Sequence, residues 1–446
     1  MKRYADLSPS PRIIMTPGPV EVDPRVLRAM SHGILGQFDP EFTGLMNETM
    51  EMLRELFRTT NRWAYPVDGT SRSGIEAVLA ALIEPGDRVL VPIFGRFGYL
   101  LQEIAQRLGA EVYTIEKEWG TVFESDEVIA AIEECRPQVV LIVHGETSTG
   151  RVQPLAEIGR ACRERDILIA VDAVATLGGV PVETDAWCLD AVVGGTQKCL
   201  SVPSGLAPVT YNDRAERKLL ARKRVERGLQ APASCAPSSS AASAPSASAA
   251  SAPSASYATA RRALPLPPAE AEGGRSVIPS NYLDLSQLQD YWSPARLNHH
   301  TEMTSMLYAL REGLRLVLEE GLEARFARHR LHEGALMAGL GAMGHRFYGD
   351  PACKLAVVAC IEIPDGIDGE SVRSMLLEQF GIEIASSFGP LKGRIWRIGT
   401  MGYSSSKRNV LLLLGALEAA LLRHGADLPA GAAVQAALRA YEEAAS

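Results

Sequence analysis

The chain has 446 residues, 46% hydrophobic and 22% charged, and its 45 Lys and Arg against 53 Asp and Glu leave a formal charge of −8. These are the proportions of an ordinary globular protein with chain enough for two or three domains, and the mixed, net negative charge excludes nucleic acid and anionic membrane as principal partners. No apolar run reaches the ~18–20 residues of a membrane span, and MKRYADLSPSPR lacks the apolar centre of a secretory signal. The seven cysteines (135, 162, 188, 199, 235, 353, 360) are odd in number and form no CxxC pair, which predicts reduced thiols and a cytoplasmic address.

Residues 41–58 carry Phe42, Leu45, Met46, Leu53 and Leu56 at helical spacing. SGIEAVLAALIEPGDRVLVP reads as a helix, a Pro-Gly turn and the buried strand Arg88–Val91. VVLIVHG (139–145), ILIAVDA (167–173) and LDAVVGG (189–195) are short apolar runs ending in Gly or polar residues, the first two separated by a helix over Leu155–Arg165. Buried strands alternating with helices predict a mainly parallel sheet, with ligands gathered at its carboxyl edge. Residues 231–260 hold 13 Ala, 10 Ser and 4 Pro, too little apolar bulk to offset the entropy of ordering. A disordered insertion is therefore expected over about 228–275, as a surface loop without a function of its own, with LPLPP favouring extended geometry. Beyond it, 301–345 read as helical, 354–363 and 394–399 as strands, and 407–424 as a closing helix. The expected organisation is α/β: an N-terminal segment (1–30), a large domain (31–300) and a small C-terminal α/β domain (301–446).

Three features fall at predicted strand ends. Asp68-Gly69-Thr70-Ser71-Arg72-Ser73-Gly74 directly precedes a strong helix, where small residues let backbone N–H groups meet an anion. It matches neither GxxxxGK[ST] nor GxGxxG, which disfavours a nucleotide loop. Asp172 ends an apolar strand, and Lys198 follows the next one, 26 residues later. Singly, these are helix caps, a turn carboxylate and a misplaced lysine. Together they supply what pyridoxal phosphate requires: a phosphate cradle, an acid to hold its ring nitrogen protonated, and a lysine to form the Schiff base.

In TPGPVEVDPRVL (16–27), HGETSTG (144–150), AVDAVATLGGVPV (170–182), GGTQK (194–198), HHT (299–301) and WRIGTMG (396–402), the chain resembles the fold-type I, class-V aminotransferases of the alanine–glyoxylate and serine–pyruvate group. The similarity covers all but the first dozen residues and the Ala/Ser/Pro insertion. It implies that Lys198 carries pyridoxal phosphate, Asp172 pairs with the pyridine nitrogen, and Phe94 stacks on the ring. Ser71, Arg72 and Gln197 would bind the phosphate, Thr147 would approach the ring hydroxyl, and Gly18 would touch the substrate. Arg397, on a strand beside Ile395, Trp396 and Ile398, would clamp the substrate carboxylate. Thr301 would reach the phosphate of the neighbouring subunit, which implies a homodimer with shared sites. Left to bland explanations, Phe94 is core packing and Arg397 a structural ion pair.

Two positions bear on the substrate. Many glyoxylate aminotransferases carry Tyr before HHT, where this chain has Asn298, and a Gly-His-Met-His-Pro-like stretch where it has Gly36-Gln37-Phe38-Asp39-Pro40. Two amides can read both the NH donors and the carbonyl of a ureido group. That combination resembles the ureidoglycine–glyoxylate aminotransferases of purine catabolism, which move the amino group of (S)-ureidoglycine to glyoxylate and give oxalurate and glycine. The alternatives are an alanine– or serine–glyoxylate aminotransferase and, further off, a pyridoxal-phosphate lyase or cysteine desulfurase, for which Cys199 and Cys235 are poor nucleophiles. No metal is expected, because His299 and His300 are adjacent and no third ligand stands at compatible spacing. His32 and His144 read as structural.

Overall fold

A computed structural model describes residues 4–224, 270–271 and 275–445. The first strand, β1 (Ile13–Ile14), is followed by the seven that build the central sheet: β2 (Trp63–Gly69), β3 (Arg88–Ile93), β4 (Glu111–Glu116), β5 (Val139–Val143), β6 (Leu168–Asp172), β7 (Ala191–Val193) and β8 (Gly205–Tyr211). Their order is β2-β8-β7-β6-β5-β3-β4. Pairing is parallel from β4 through β7, while β8 runs antiparallel to both β7 and β2. Every residue of β5, β6 and β7 is buried, as strands covered by helices on both faces must be.

Two strands escape the hydrophobic pattern because each carries a proline. Pro66 of β2 and Pro208 of β8 lie opposite one another. Neither interrupts the central ladder: β2 is an edge strand, and β8 pairs with β7 only over Val209–Tyr211. Most of the expected insertion lies outside the described residues; at its end Glu270–Ala271 pairs with Arg275–Ser276.

The second unit contains β9 (Val358–Glu362), β10 (Ile382–Glu383), β11 (Ala385–Ser386) and β12 (Ile395–Gly399), with β9, β12 and β11 forming an antiparallel sheet in that order. Helices Leu322–Ala342, Gly369–Phe380, Lys407–Arg423 and Ala432–Glu443 supply its core through Leu336, Leu340, Leu376, Leu414, Leu417 and Ala437. The expected boundary at 300/301 needs correction. Helix Thr304–Glu320 places Leu307, Leu310, Leu314 and Val317 in the core of the large unit. Its apolar stripe faces helices Pro24–Met30 and Pro40–Phe57, so the chain passes to the second core only beyond Gly321. The N-terminal segment crosses the other way: β1 pairs in parallel with β10, and Gly399 N donates to Met15 O at 2.8 Å.

Candidate active site

The carboxyl edge of the sheet holds a cavity of about 250 Å³. Thr70, Ser71 and Arg72 line it from the start of helix Ser71–Leu82, Asp172 from the end of β6, and Gln197 and Lys198 from the loop after β7. Arg96, Phe97, Gly145 and Thr147 complete the opposite wall. The three features, spread over more than a hundred residues of sequence, thus converge, for the reason parallel α/β sheets collect ligands at this edge.

Burial pushes the Asp172 carboxyl up to about 6, against the pull of the Val174 N–H and the Lys198 charge. Burial pushes the Lys198 amine down to about 8, and the Arg397 charge acts in the same direction. At pH 7 about a tenth of such an amine is neutral, against a few parts in ten thousand for an ordinary lysine. The Lys198 amine donates to the Pro17 carbonyl. A Cβ on Gly18, whose φ is +99°, would lie 2.4 Å from both Nζ and Cδ of Lys198. Only glycine lets the N-terminal segment close over the lysine here. Gly18→Ala is expected to lower turnover by about 10²-fold through displacement of the amine, with an unchanged far-ultraviolet dichroism spectrum; wild-type turnover in that variant would show the approach to be unimportant.

Ser71 Oγ donates to Gln197 Oε1 at 2.9 Å, which joins the helix start to the lysine loop. A Cβ on Gly195 would lie 2.5 Å from that hydroxyl, so glycine keeps the two walls close. Arg397, on β12, donates from Nε to Ser386 O at 2.8 Å and from Nη1 to Thr147 O at 3.0 Å. Its guanidinium lies 4.5 Å from the centre of the Phe388 ring. Burial pushes its pKa down to about 10, and no carboxylate of a described residue forms an ion pair with it. A buried arginine held by carbonyls and an aromatic face fits an anionic ligand better than the structural ion pair.

Not every expected residue arrives. Phe94 is 1% exposed, packs edge-on against Phe123 with centroids 6.3 Å apart, and does not line the cavity. That position fits core packing, and the aromatic in the wall is Phe97. Gln37 Nε2 donates to Asn298 Oδ1 at 2.9 Å, so the two amides do meet across 261 positions. Neither lines the cavity of its own chain, because both sit on loops at the surface. Thr301 is exposed. His144 is buried against the Thr176 hydroxyl at 2.9 Å, and burial holds it neutral by pushing it down to about 4. His32 is exposed.

Three participants were missed. Glu146 is fully buried, and accepts from Ser148 N and Phe97 N at 2.9 Å and from Ser148 Oγ at 2.6 Å. It ties together the two loops of the far wall, and its position inside HGETSTG at a strand end was the available signal. Phe388 stacks on Arg96 as well as Arg397, and Pro17 contributes only a carbonyl, which composition cannot flag. The case against a metal also needs correction. Asp68, brought from 232 positions away, and Glu302, two residues along, converge on His300.

Comparison with known proteins bears on this arrangement. The family model described as Aminotransferase class-V matches residues 26–235. The (S)-ureidoglycine–glyoxylate transaminase of Bacillus subtilis is 63% identical over 433 residues, 97% of this chain and 96% of that protein. The chain belongs to the class-V aminotransferases. A crystal structure of ureidoglycine-glyoxylate aminotransferase from Bacillus subtilis superposes with a TM-score of 0.86 at 60% identity, over 98% of this chain and 100% of that one. The alanine–glyoxylate aminotransferase of Callithrix jacchus is 32% identical over 93% of this chain and 89% of its own. Within such an aminotransferase the six described cysteines are free, and burial pushes Cys199 up to about 11 and Cys360 to about 12. Thiols so placed cannot act as the thiolate a desulfurase needs. Cys235 lies outside the described residues, and no described helix is long and apolar enough to cross a membrane.

Proposed function

We propose that this aminotransferase moves the amino group of (S)-ureidoglycine to glyoxylate, giving oxalurate and glycine, as a cytoplasmic, pyridoxal-phosphate-dependent enzyme of purine catabolism. The observation that carries the substrate is the Gln37–Asn298 pair. With a Gln37 Nε2–H donated to Asn298 Oδ1, the Asn298 amide N–H groups remain as donors and Gln37 Oε1, buried and without a hydrogen-bond partner among the described residues, remains as acceptor. A ureido group offers the complement, a carbonyl beside an N–H. The similarity to the Bacillus subtilis transaminase over nearly the whole chain supports the same reading.

The cavity fits the cofactor. Pyridoxal phosphate, when bound, supplies a protonated ring that draws electrons from the substrate's Cα–H bond. Ser71, Arg72 and Gln197, at a helix start that favours anions, would hold its phosphate. Asp172 would hold the ring nitrogen's proton, and the cationic partner would return its carboxyl to the ionised state. Lys198 would hold the cofactor and, released by the amino substrate, move the Cα proton. Arg397 would take the carboxylates of donor and glyoxylate in turn, so one pocket serves both half-reactions. Pro17 and Gly18 would keep water from the amine.

The amide pair can serve such a cavity only from a second chain, so a homodimer with shared sites is part of the proposal. Around the pair, Ile34 is 65% exposed, Phe38 75%, Leu297 48% and Tyr282 46%. Apolar side chains gathered so densely at a surface suit a partner subunit. Thr301, exposed on the same loop, would then approach the partner's phosphate. Phe94 would back the ring's pocket rather than form its wall.

Single-turnover absorbance of the cofactor-loaded enzyme, with ureidoglycine, alanine and serine mixed in separately, tests the substrate. Fast loss of the cofactor's band is expected with ureidoglycine alone. Asn298→Tyr is expected to lower kcat/KM for ureidoglycine by about 10²-fold or more, since it leaves buried polar groups unpaired, while sparing alanine. Faster conversion of alanine or serine by the wild type would assign the enzyme to the ordinary glyoxylate aminotransferases.

A further inference from the structure

On either side of Thr301, His300 and Glu302 fold against Asp68, near the end of β2. Asp68 and Glu302 are each 4% exposed. His300 Nε2 lies 3.1 Å from Asp68 Oδ2 and 3.8 Å from Glu302 Oε2, and one ligand atom from each of the three side chains lies within 4.8 Å of the others. Despite that approach, His300 Nε2 and Asp68 Oδ1 have no hydrogen-bond partner among the described residues, and the Glu302 carboxyl has a side-chain partner only when it carries a proton and donates it to Asp68. At 3.1 Å the missing hydrogen bond is a matter of direction: the Asp68 oxygen stands off the axis along which Nε2 would donate.

The histidine is also prepared as a ligand. His299 Nε2 lies 3.2 Å from the Asn281 carbonyl, and His299 Nδ1 lies 2.8 Å from His300 Nδ1. A carbonyl can only accept, so neutral His299 carries its proton on Nε2 and accepts at Nδ1. His300 then donates through Nδ1, which leaves Nε2, 3.1 Å from Asp68 Oδ2, with a lone pair to offer an ion. This is the outer support that metal-bound histidines ordinarily have. The aromatic ring of Tyr291, centred 4.9 Å from that of His300, closes one side. Two carboxylates buried this close together repel when both are ionised. A charge of +2 between them would balance both.

We propose that Asp68, His300 and Glu302 form a binding site for one divalent transition-metal ion per chain, of the zinc or manganese type that accepts an imidazole and two carboxylates. The site stands outside the cavity around Lys198. Asp68 directly precedes the Gly69–Thr70–Ser71 turn at the cavity, and His300 and Glu302 follow Asn298 on the amide-bearing loop. The ion would pin the two loops to each other, and its binding does not depend on which amino donor the enzyme uses.

The test uses the chelator-treated holoenzyme. Manganese(II) titration followed by electron paramagnetic resonance, and zinc(II) titration by calorimetry, are expected to show one ion per chain. Glu302→Gln and Asp68→Asn, which keep shape but remove charge, are each expected to weaken binding by at least about 100-fold. The ion is also expected to raise Tm in the wild type and not in Glu302→Gln. Should either variant fold poorly by circular dichroism, His300→Ala read by the same titrations takes its place. Absence of binding by the wild type at millimolar manganese and zinc, or affinity unchanged in Glu302→Gln, overturns the proposal and leaves a cluster that shares protons instead.

Discussion

Lys198→Ala is expected to reduce transamination by roughly 10⁴-fold or more, because the same amine holds the cofactor and moves the Cα proton. The fold should survive. The side chain adjoins an existing cavity, and its amine is a desolvated group whose loss removes a cost of burial. Circular dichroism and thermal unfolding would separate loss of chemistry from loss of structure; near-wild-type turnover would take the lysine out of the mechanism. The amine also sets a pH dependence. With its pKa lowered from the ordinary 10.5 to about 8, Lys198 is protonated below that point and nucleophilic above it. Uptake of pyridoxal phosphate by the apoprotein is therefore expected to accelerate as pH rises through 8 and then level off. Since the Arg397 charge is part of the cause, Arg397→Met should move the midpoint upward.

Arg397→Lys is expected to lower kcat/KM by about 10²–10³-fold for the amino donor and for glyoxylate alike. Lysine keeps the charge but loses the planar fork. It also gives up the stacking on Phe388 and cannot reproduce the paired bonds to Ser386 O and Thr147 O. The equal loss on both half-reactions is the informative part, because one guanidinium is assigned both carboxylates. Rapid-mix measurements of each half-reaction would check this, and a loss confined to one of them would require a second carboxylate site.

What could be read from the sequence follows from which forces act locally. Strands β3, β5, β6 and β7 are buried on both faces and announce themselves as apolar runs, and Asp172 and Lys198 stand out because charge at the end of such a run is costly. The edge strand β2 and its neighbour β8 were hidden by Pro66 and Pro208, harmless only because of where pairing stops. Helix Thr304–Glu320 was assigned to the wrong core because an apolar stripe does not say which layer it meets. Phe94 followed from its place in PIFGRFG, yet a ring's direction is set by packing against Phe123, a contact only the fold creates. Nothing in the sequence associates Asp68 with His300, 232 positions on, whereas Gln37 and Asn298 are associated by the one substrate that both amides suit.

The strand Ile13–Ile14 has one more consequence. It pairs with Ile382–Glu383 rather than with the central sheet, and Met15 is bonded to Gly399, two residues beyond Arg397 on β12. The stretch that lies over the Lys198 amine is therefore anchored to the strand that carries the guanidinium, and both would travel with the small unit in any rearrangement of the two cores. Pieces of chain nearly four hundred positions apart are thereby held to one another. Trimming or tagging close to Ile13 is, in this enzyme, an alteration of the reaction chamber's roof.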